Sequence, residues 1–207
     1  MKKTAVFLSF LLLLTGCSAG QTDAETIREH FDKLGAFTAH VKIFSDFGGS
    51  ALEYELDYAY NRKGSDHLVL TAPEAVSGIE ATIAGEDSFL LQYGTAALDD
   101  GMPALHGAVP ADGVYWLMRS LRESEPLELW KETVSGVPAT VLRYEDTEEE
   151  HTLTRQVWLA QSGLYPLCAE VYVDGKRTLL LTFSEYQEGA VPEPSETQPE
   201  ALPEPQP

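Results

Sequence analysis

Two runs of alternating apolar and polar residues constrain the fold of this chain more than any other feature. Every second residue from Phe37 to Ile43 is apolar, and from Leu52 to Tyr60 leucines and tyrosines alternate with acidic residues. Successive side chains of a strand point to opposite faces, so each run predicts a strand with one buried and one solvated face. Gly48 and Gly49 lie between the runs and favour a turn. The sequence therefore predicts an antiparallel sheet.

Seven further segments show strand-like patterning. They are His67–Thr71, Gly78–Ile83, Ser88–Tyr93, Thr140–Tyr144, Thr152–Leu159, Leu167–Val173 and Thr178–Tyr186. The last two are joined by Asp174-Gly175, a pair that accepts positive φ and favours a tight hairpin. The predicted strands fall into two groups, five or six before residue 94 and about four after residue 139.

Two helices are predicted from apolar residues at helical spacing. The first is short: Ile27, Phe31 and Leu34 continue a stripe that begins at Ala24. Its N-cap candidates are Thr22 and Asp23, with Glu25 able to close a capping box.

The second helix follows Pro110 and separates the two groups of strands. Its apolar residues recur at i, i+3, i+4 and i+7, and Arg119 and Arg122 are expected to turn away from the core. The apolar set is Val114, Leu117, Met118 and Leu121. The fold class is thus α+β: a strongly curved antiparallel sheet of about 9–11 strands, an incompletely closed half-barrel, with a few helices on its concave side.

The first residues have the features of an exported protein. Lys2 and Lys3 precede the apolar run 5–14, which is about half the length needed to cross a bilayer. Residues 1–16 are therefore predicted to be a signal peptide. The run ends in Leu14-Thr15-Gly16-Cys17, which resembles the bacterial lipobox.

The lipobox resemblance implies cleavage between Gly16 and Cys17 and attachment of a diacylglyceryl group to the Cys17 thiol. Two or more acyl chains hold a protein stably at a membrane, whereas one holds it marginally. The alternative is an ordinary signal peptide with a chance cysteine. Lipidation predicts a protein bound to the extracytoplasmic face of a cell membrane, with residues 17–22 as the lipidated cysteine and short tether.

The last residues differ in composition from the rest of the chain. Residues 188–207 are rich in Glu and Pro and lack Lys and Arg. Such a segment buries too little apolar surface to offset its ordering entropy, so a disordered acidic tail is predicted. One folded domain is expected over residues 23–187.

The net charge excludes one class of partner. The formal charge is −19, and removal of Lys2 and Lys3 with the signal peptide makes it −21. A field of this sign repels phosphate backbones, so we expect no nucleic-acid partner. Cys168 is left without an intramolecular partner once Cys17 carries lipid, and it is interpreted as a small, partly buried apolar residue.

Motifs of catalysis and metal binding are absent from the sequence. The five histidines are scattered, with no pair at metal-ligand spacing. There is no nucleophile elbow, phosphate-binding loop or dinucleotide fingerprint. We therefore expect neither an enzyme nor a cofactor or metal site.

The C-terminal half resembles a known family. The segments that carry the resemblance are 156–159, 163–167, Glu170, 174–176 and 181–186. They resemble the closing hairpins of the LolA/LolB lipoprotein-carrier fold, and are similar to those of the clostridial germination lipoprotein GerS. The resemblance implies a half-barrel of about eleven strands, capped by helices, whose interior can hold acyl chains.

Two functions follow from that resemblance. One is a non-catalytic, membrane-anchored lipoprotein that binds lipid or acyl chains in an apolar cavity. The other is an interaction module, like GerS, that positions a peptidoglycan-modifying envelope enzyme at the membrane. A hollow interior would favour the first function, and an interior filled by side chains the second. The aromatic residues expected to line a cavity are Tyr54, Tyr58, Trp116, Trp130, Trp158 and Phe183.

Overall fold

The computed structural model describes residues 19–47, 50–85, 88–99 and 101–189. Two helices and eleven strands follow one another along the chain. They are α1 (Ala19–Lys33), β1 (Ala36–Phe47), β2 (Ser50–Asn61), β3 (Asp66–Ala72), β4 (Glu80–Ala84), β5 (Ser88–Tyr93), β6 (Ala96–Asp99), α2 (Gly113–Glu123), β7 (Glu128–Val134), β8 (Val137–Glu148), β9 (His151–Ala160), β10 (Pro166–Val173) and β11 (Lys176–Glu188).

All eleven strands form one antiparallel sheet. Their order is β6-β5-β4-β3-β2-β1-β11-β10-β9-β8-β7. The first and last strands of the chain therefore pair at the middle of the sheet, where Val41 lies opposite Phe183 and Ile43 opposite Leu181. β6 and β7 are the two edges of the sheet, which is curved and unclosed. The predicted half-barrel is confirmed.

The apolar core lies between the concave face of the sheet and both helices. Alternation places one side of most strands in this core, as with Val157 and Leu159 on β9, while Trp158 between them points to the other face. From α1 the core receives Ile27 and Phe31, and from α2 it receives Leu117 and Leu121 among others. The helices thus supply the contacts that a closed barrel would make with itself.

Two details of the sequence prediction were wrong. Two strands were missed, β6 and β7. Helix α1 begins at Ala19, so Thr22 and Asp23 lie inside it rather than before its first turn. At the other end, β11 continues to Glu188. The expected division into tether, domain and tail stays a prediction.

The hairpin predicted between β10 and β11 is confirmed. Asp174 and Gly175 have φ values of 51° and 77°, as a two-residue turn with a right-handed strand twist requires. The turn glycines Gly48 and Gly49, the lipidation site Gly16-Cys17 and the tail from residue 190 lie outside the described residues. Within the described ranges, no helix has the length and apolar character needed to cross a membrane.

Candidate functional site

A cleft of about 280 Å³ opens between helix α2 and strands β2 to β4. Its wall on the sheet side includes Tyr60, Asp66 and Ile83, and its wall on the helix side includes Arg119 and Arg122. Tyr60 and Ile83 are also members of the apolar core. The cleft therefore reaches the edge of the apolar core from the solvent side.

The sheet side of the cleft contains a buried carboxyl group. The Tyr58 hydroxyl donates to Asp66 Oδ2 at 2.5 Å, and the backbone N–H of Asn61 donates to Oδ1 at 3.0 Å. Burial raises the pKa of Asp66 to about 6, although both hydrogen bonds and the charge of Arg122 favour its ionised form. The same burial, with the adjacent carboxylate, holds the pKa of Tyr58 well above its ordinary value.

Two arginines one helical turn apart form the helix side of the cleft. Arg122 Nη1 donates to the Tyr60 hydroxyl at 2.7 Å, and Nη2 donates to Glu123 Oε1 at 2.9 Å. Arg119 Nε donates to Glu123 Oε2 at 2.8 Å, and its guanidinium lies 4.8 Å from the centre of the Trp116 ring. The prediction that these arginines turn away from the core was wrong for Arg122, whose side chain is only 16% exposed.

The rim of the cleft is tied to neighbouring elements. The Tyr115 hydroxyl donates to the Gly85 carbonyl at 2.8 Å, which connects α2 to the turn after β4. Arg62 Nη2 donates to Asp32 Oδ1 at 2.7 Å, which connects the turn after β2 to α1. The cleft therefore keeps its shape through contacts with both helices.

The charge of the cleft differs from that of the chain. Its lining holds three arginines, Arg62, Arg119 and Arg122, and two carboxyl groups, Asp66 and Glu123. With both carboxyls ionised the lining has a formal charge of 3 − 2 = +1, or 0 when Asp32, which binds Arg62, is counted, whereas the whole chain has −19. An anionic group is thus attracted to this cleft more than to the surrounding surface.

A buried polar network holds the segment that leads into α2. The guanidinium of Arg155, a residue only 1% exposed, donates to Asp146 Oδ2 and to the His106 carbonyl, each at 2.5 Å. Asp112 Oδ2 accepts from the Gly107 N–H at 2.9 Å. The His106 ring stacks on Trp116 with 4.0 Å between ring centres. The N-terminal end of α2 is therefore fixed to β8 and β9, at a distance along the helix from the cleft arginines.

Stability should fall as pH rises through neutrality because of Asp112. Burial raises its pKa to about 7, although the N–H groups of Gly107 and Val109 and the charge of Arg155 favour the ionised form. The folded protein holds this proton more tightly than the unfolded chain. Its stabilising contribution is therefore complete below the ordinary Asp pKa and is lost as pH rises through about 7.

We expect Asp112 to contribute about 2 kcal/mol more to the free energy of unfolding at pH 5.5 than at pH 8. Urea denaturation at several pH values measures how the free energy of unfolding changes with pH. Asp112→Asn keeps a side-chain carbonyl but cannot titrate, and should flatten the profile. Parallel profiles for the two proteins would contradict this assignment.

The structure separates the six aromatic residues that were expected to line one cavity. Tyr54, Tyr58 and Phe183 lie on the concave side, in or against the core. Trp116 lies on α2 and stacks on His106. None of these four residues lines the cleft. Tyr58 contacts the cleft indirectly, because it donates a hydrogen bond to Asp66, which is a lining residue.

Trp130 and Trp158 lie on the opposite, outer face of the sheet, so their assignment to a cavity was wrong. Both indole N–H groups donate to Glu132, at 2.6 and 2.9 Å. Val141, which pairs with both tryptophans across the strands, is fully buried beneath them. The tryptophans thus cover the outer face of the sheet.

Other features of the described residues offer no alternative centre of chemistry. Burial, Glu170 and Glu132 raise the pKa of the Cys168 thiol to about 11, which disfavours the reactive thiolate. A depression of about 360 Å³ lies near the β10–β11 turn, between Phe44, Tyr172 and Arg177. It is larger than the cleft, but none of its lining residues belongs to the core. No group of three or more His, Cys, Asp or Glu side chains within these ranges could hold a metal ion.

Solved structures share this arrangement. A DUF1329 family protein from Desulfovibrio piger is 13% identical, with a TM-score of 0.51 over 85% of this chain and 94% of the other. The lipoprotein LppX from Mycobacterium tuberculosis is 15% identical, with a TM-score of 0.50 over 85% and 98%. A LolA superfamily protein from Nitrosomonas europaea is 15% identical, with a TM-score of 0.45 over 84% and 94%.

The chain shares the fold of the DUF1329 protein and of LppX. At these identities the likeness concerns the fold alone. No protein-family model matches the sequence, and no curated protein matches it significantly. The LolA-like part of the sequence resemblance is confirmed, and the closer similarity to the germination lipoprotein GerS stays a prediction.

Proposed function

We propose that this chain is a non-catalytic lipoprotein, held by lipid on Cys17 at the extracytoplasmic face of a cell membrane, that binds an amphiphile through the α2 cleft. The observation that carries the proposal is the cleft itself, because arginines on its helix side lie opposite two residues of the apolar core, Tyr60 and Ile83, in one opening. A lipid or acylated molecule presents a polar end and an apolar chain in the same way. LppX, which shares the fold, is described as a lipoprotein.

The size of the cleft limits what it can hold without movement. Ligand pockets are commonly about 300–1,000 Å³, so 280 Å³ accommodates a head group and the start of a chain. The rest of the concave side is filled by the protein's own side chains. A complete acyl chain therefore requires α2 to shift and the chain to replace the apolar contacts of residues such as Leu117.

The energy of this exchange is of the right order. Burying one large apolar side chain contributes about 1.5–3 kcal/mol, and α2 buries five such residues. Each methylene of a ligand contributes about 0.8 kcal/mol. Ten methylenes therefore contribute about 8 kcal/mol, which offsets the loss of about three of these contacts.

Native mass spectrometry should reveal the ligand. The mature domain, expressed without its signal peptide and extracted gently, should carry co-purifying lipid and take up a fluorescent fatty acid. A bare mass together with no uptake would contradict amphiphile binding.

A second function is favoured by the filled interior. A half-barrel without a large cavity can serve as an interaction module that positions an envelope protein, such as a peptidoglycan-modifying enzyme, near the membrane. Edge strand β6 is exposed along its whole length, with Leu98 55% exposed, and an open edge accepts a strand from a partner. Reproducible crosslinking to one envelope protein in native membranes, with no bound lipid, would support this function over the first.

A further inference from the structure

The cleft contains a donor that the protein leaves unused. Arg122 Nε is buried and, among the described residues, has no hydrogen-bond partner. Leaving a buried donor without an acceptor is costly. Since the other two nitrogens of this guanidinium already donate to Tyr60 and Glu123, one donor of a cleft-lining arginine is without an acceptor.

We propose that the cleft selects amphiphiles with an anionic head group, whose oxygen atoms are held by Arg122 and Arg119 while the chain lies towards Ile83 and the core. This rests on the proposed function and adds the class of ligand. Carboxylate, phosphate and sulfonate groups share the required chemistry, because each presents several acceptors to a planar guanidinium. A small rotation of the Arg122 guanidinium towards the ligand would give its Nε an acceptor.

The two carboxyl groups of the cleft affect such a ligand differently. Asp66 is engaged by Tyr58 and Asn61 on the sheet side. Glu123 lies at the rim and accepts from both Arg119 and Arg122. It occupies the position of a competing anion, so binding of a head group requires the arginines to exchange this carboxylate for the ligand.

Three probes separate the contributions of head and chain. Decanesulfonate stays anionic at all pH values of interest, a decyl glucoside has the same chain and a neutral head, and methanesulfonate has the head alone. Titration calorimetry of the mature domain should give the tightest binding for decanesulfonate. Its affinity should fall as salt rises, because the attraction is electrostatic.

Substitutions at the cleft should change affinity in opposite directions. Arg122→Gln should weaken decanesulfonate binding tenfold or more and leave the glucoside unchanged, with Arg122→Lys intermediate. Glu123→Gln should strengthen it severalfold, because it removes the competing carboxylate. Arg143→Gln removes the same charge at an exposed pair with Glu128 and should have little effect. Thermal unfolding checks that each variant is folded.

The outcomes distinguish this inference from the proposed function. Equal affinity for decanesulfonate and the glucoside, unchanged in Arg122→Gln, would overturn head-group selection and leave amphiphile binding intact. No binding of either amphiphile would contradict the proposed function as well. Binding of methanesulfonate as tight as that of decanesulfonate would show a site for small anions and overturn the role given to the chain.

Discussion

Replacing Arg155 by Met should lower the free energy of unfolding by about 2–3 kcal/mol, because the His106 carbonyl loses its donor while Asp146, which is 44% exposed, is hydrated in its place. The arginine is almost completely buried and holds Asp146 and the His106 carbonyl. Its charge also favours the ionised form of the buried Asp112. A methionine at position 155 fills the space of the aliphatic part of the arginine side chain but supplies no hydrogen-bond donor and no charge.

Urea denaturation at pH 7 measures this loss, with Arg177→Met as the matched control. Arg177 donates to Glu170 at 2.6 Å but is 43% exposed, and exposed pairs contribute about 0–1 kcal/mol. A loss below 1 kcal/mol in Arg155→Met would show that the network does not hold the segment before α2.

Gly107→Ala should destabilise the fold by about 3 kcal/mol, of which roughly 1 kcal/mol comes from backbone strain and the rest from overpacking. Gly107 has φ +79°, and a Cβ there would lie 2.9 Å from Trp116 Cβ and 3.2 Å from Arg155 Nε. Neither neighbour can move freely, since Trp116 is stacked on His106 and Arg155 is engaged on both sides.

Gly136→Ala is the matched control for the same substitution. Gly136 has φ +84°, but a Cβ there meets nothing within 4 Å, so it measures the strain alone. Thermal and chemical unfolding of the two variants should differ by about 2 kcal/mol. Equal losses would mean that Trp116 and Arg155 move aside for the added Cβ, which would contradict tight packing around Gly107.

Arg155 and Gly107 both contact residues at the N-terminal end of α2 or in the segment that precedes it. The N-terminal end of the helix is fixed by a buried network, while its C-terminal half meets the sheet through Arg122, Tyr60 and the open cleft. A shift that admits a chain would therefore be expected to occur mainly at the C-terminal half. The N-terminal end of α2 thus contributes to the stability of the fold, whereas, in this proposal, the C-terminal half controls access to the interior.

The strands that were predicted from sequence are those with a buried and a solvated face. Period-two alternation identified β1 and β2 well, because alternate side chains such as Val41 and Tyr58 enter the core, although Leu52 near the start of β2 is 51% exposed. β6 was missed because its four residues are all exposed and show no alternation. β7 was missed because it is the opposite edge, where burial follows no period of two.

The site was harder to predict than the fold for a physical reason. Arg122 and Tyr60 are 62 residues apart in sequence, and no local pattern reports a hydrogen bond between them. Two arginines, Arg119 and Arg122, on a largely apolar helix are a local feature that indicates a polar site, because the whole chain has only 14 lysines and arginines. Trp158 lies between Val157 and Leu159, whose side chains enter the core. The alternation of side chains along a strand therefore already indicated that Trp158 points to the outer face.

Photo-crosslinking with a diazirine-bearing fatty acid tests the central claim most directly, since it reports where the chain of an amphiphile lies. We expect peptide mapping to place the label in residues 58–66, 80–85 and 114–123, and labelling to fall in Arg122→Gln. Label confined to the outer depression around residues 44–46 and 172–177, or no label under conditions that leave the protein folded, would contradict the account.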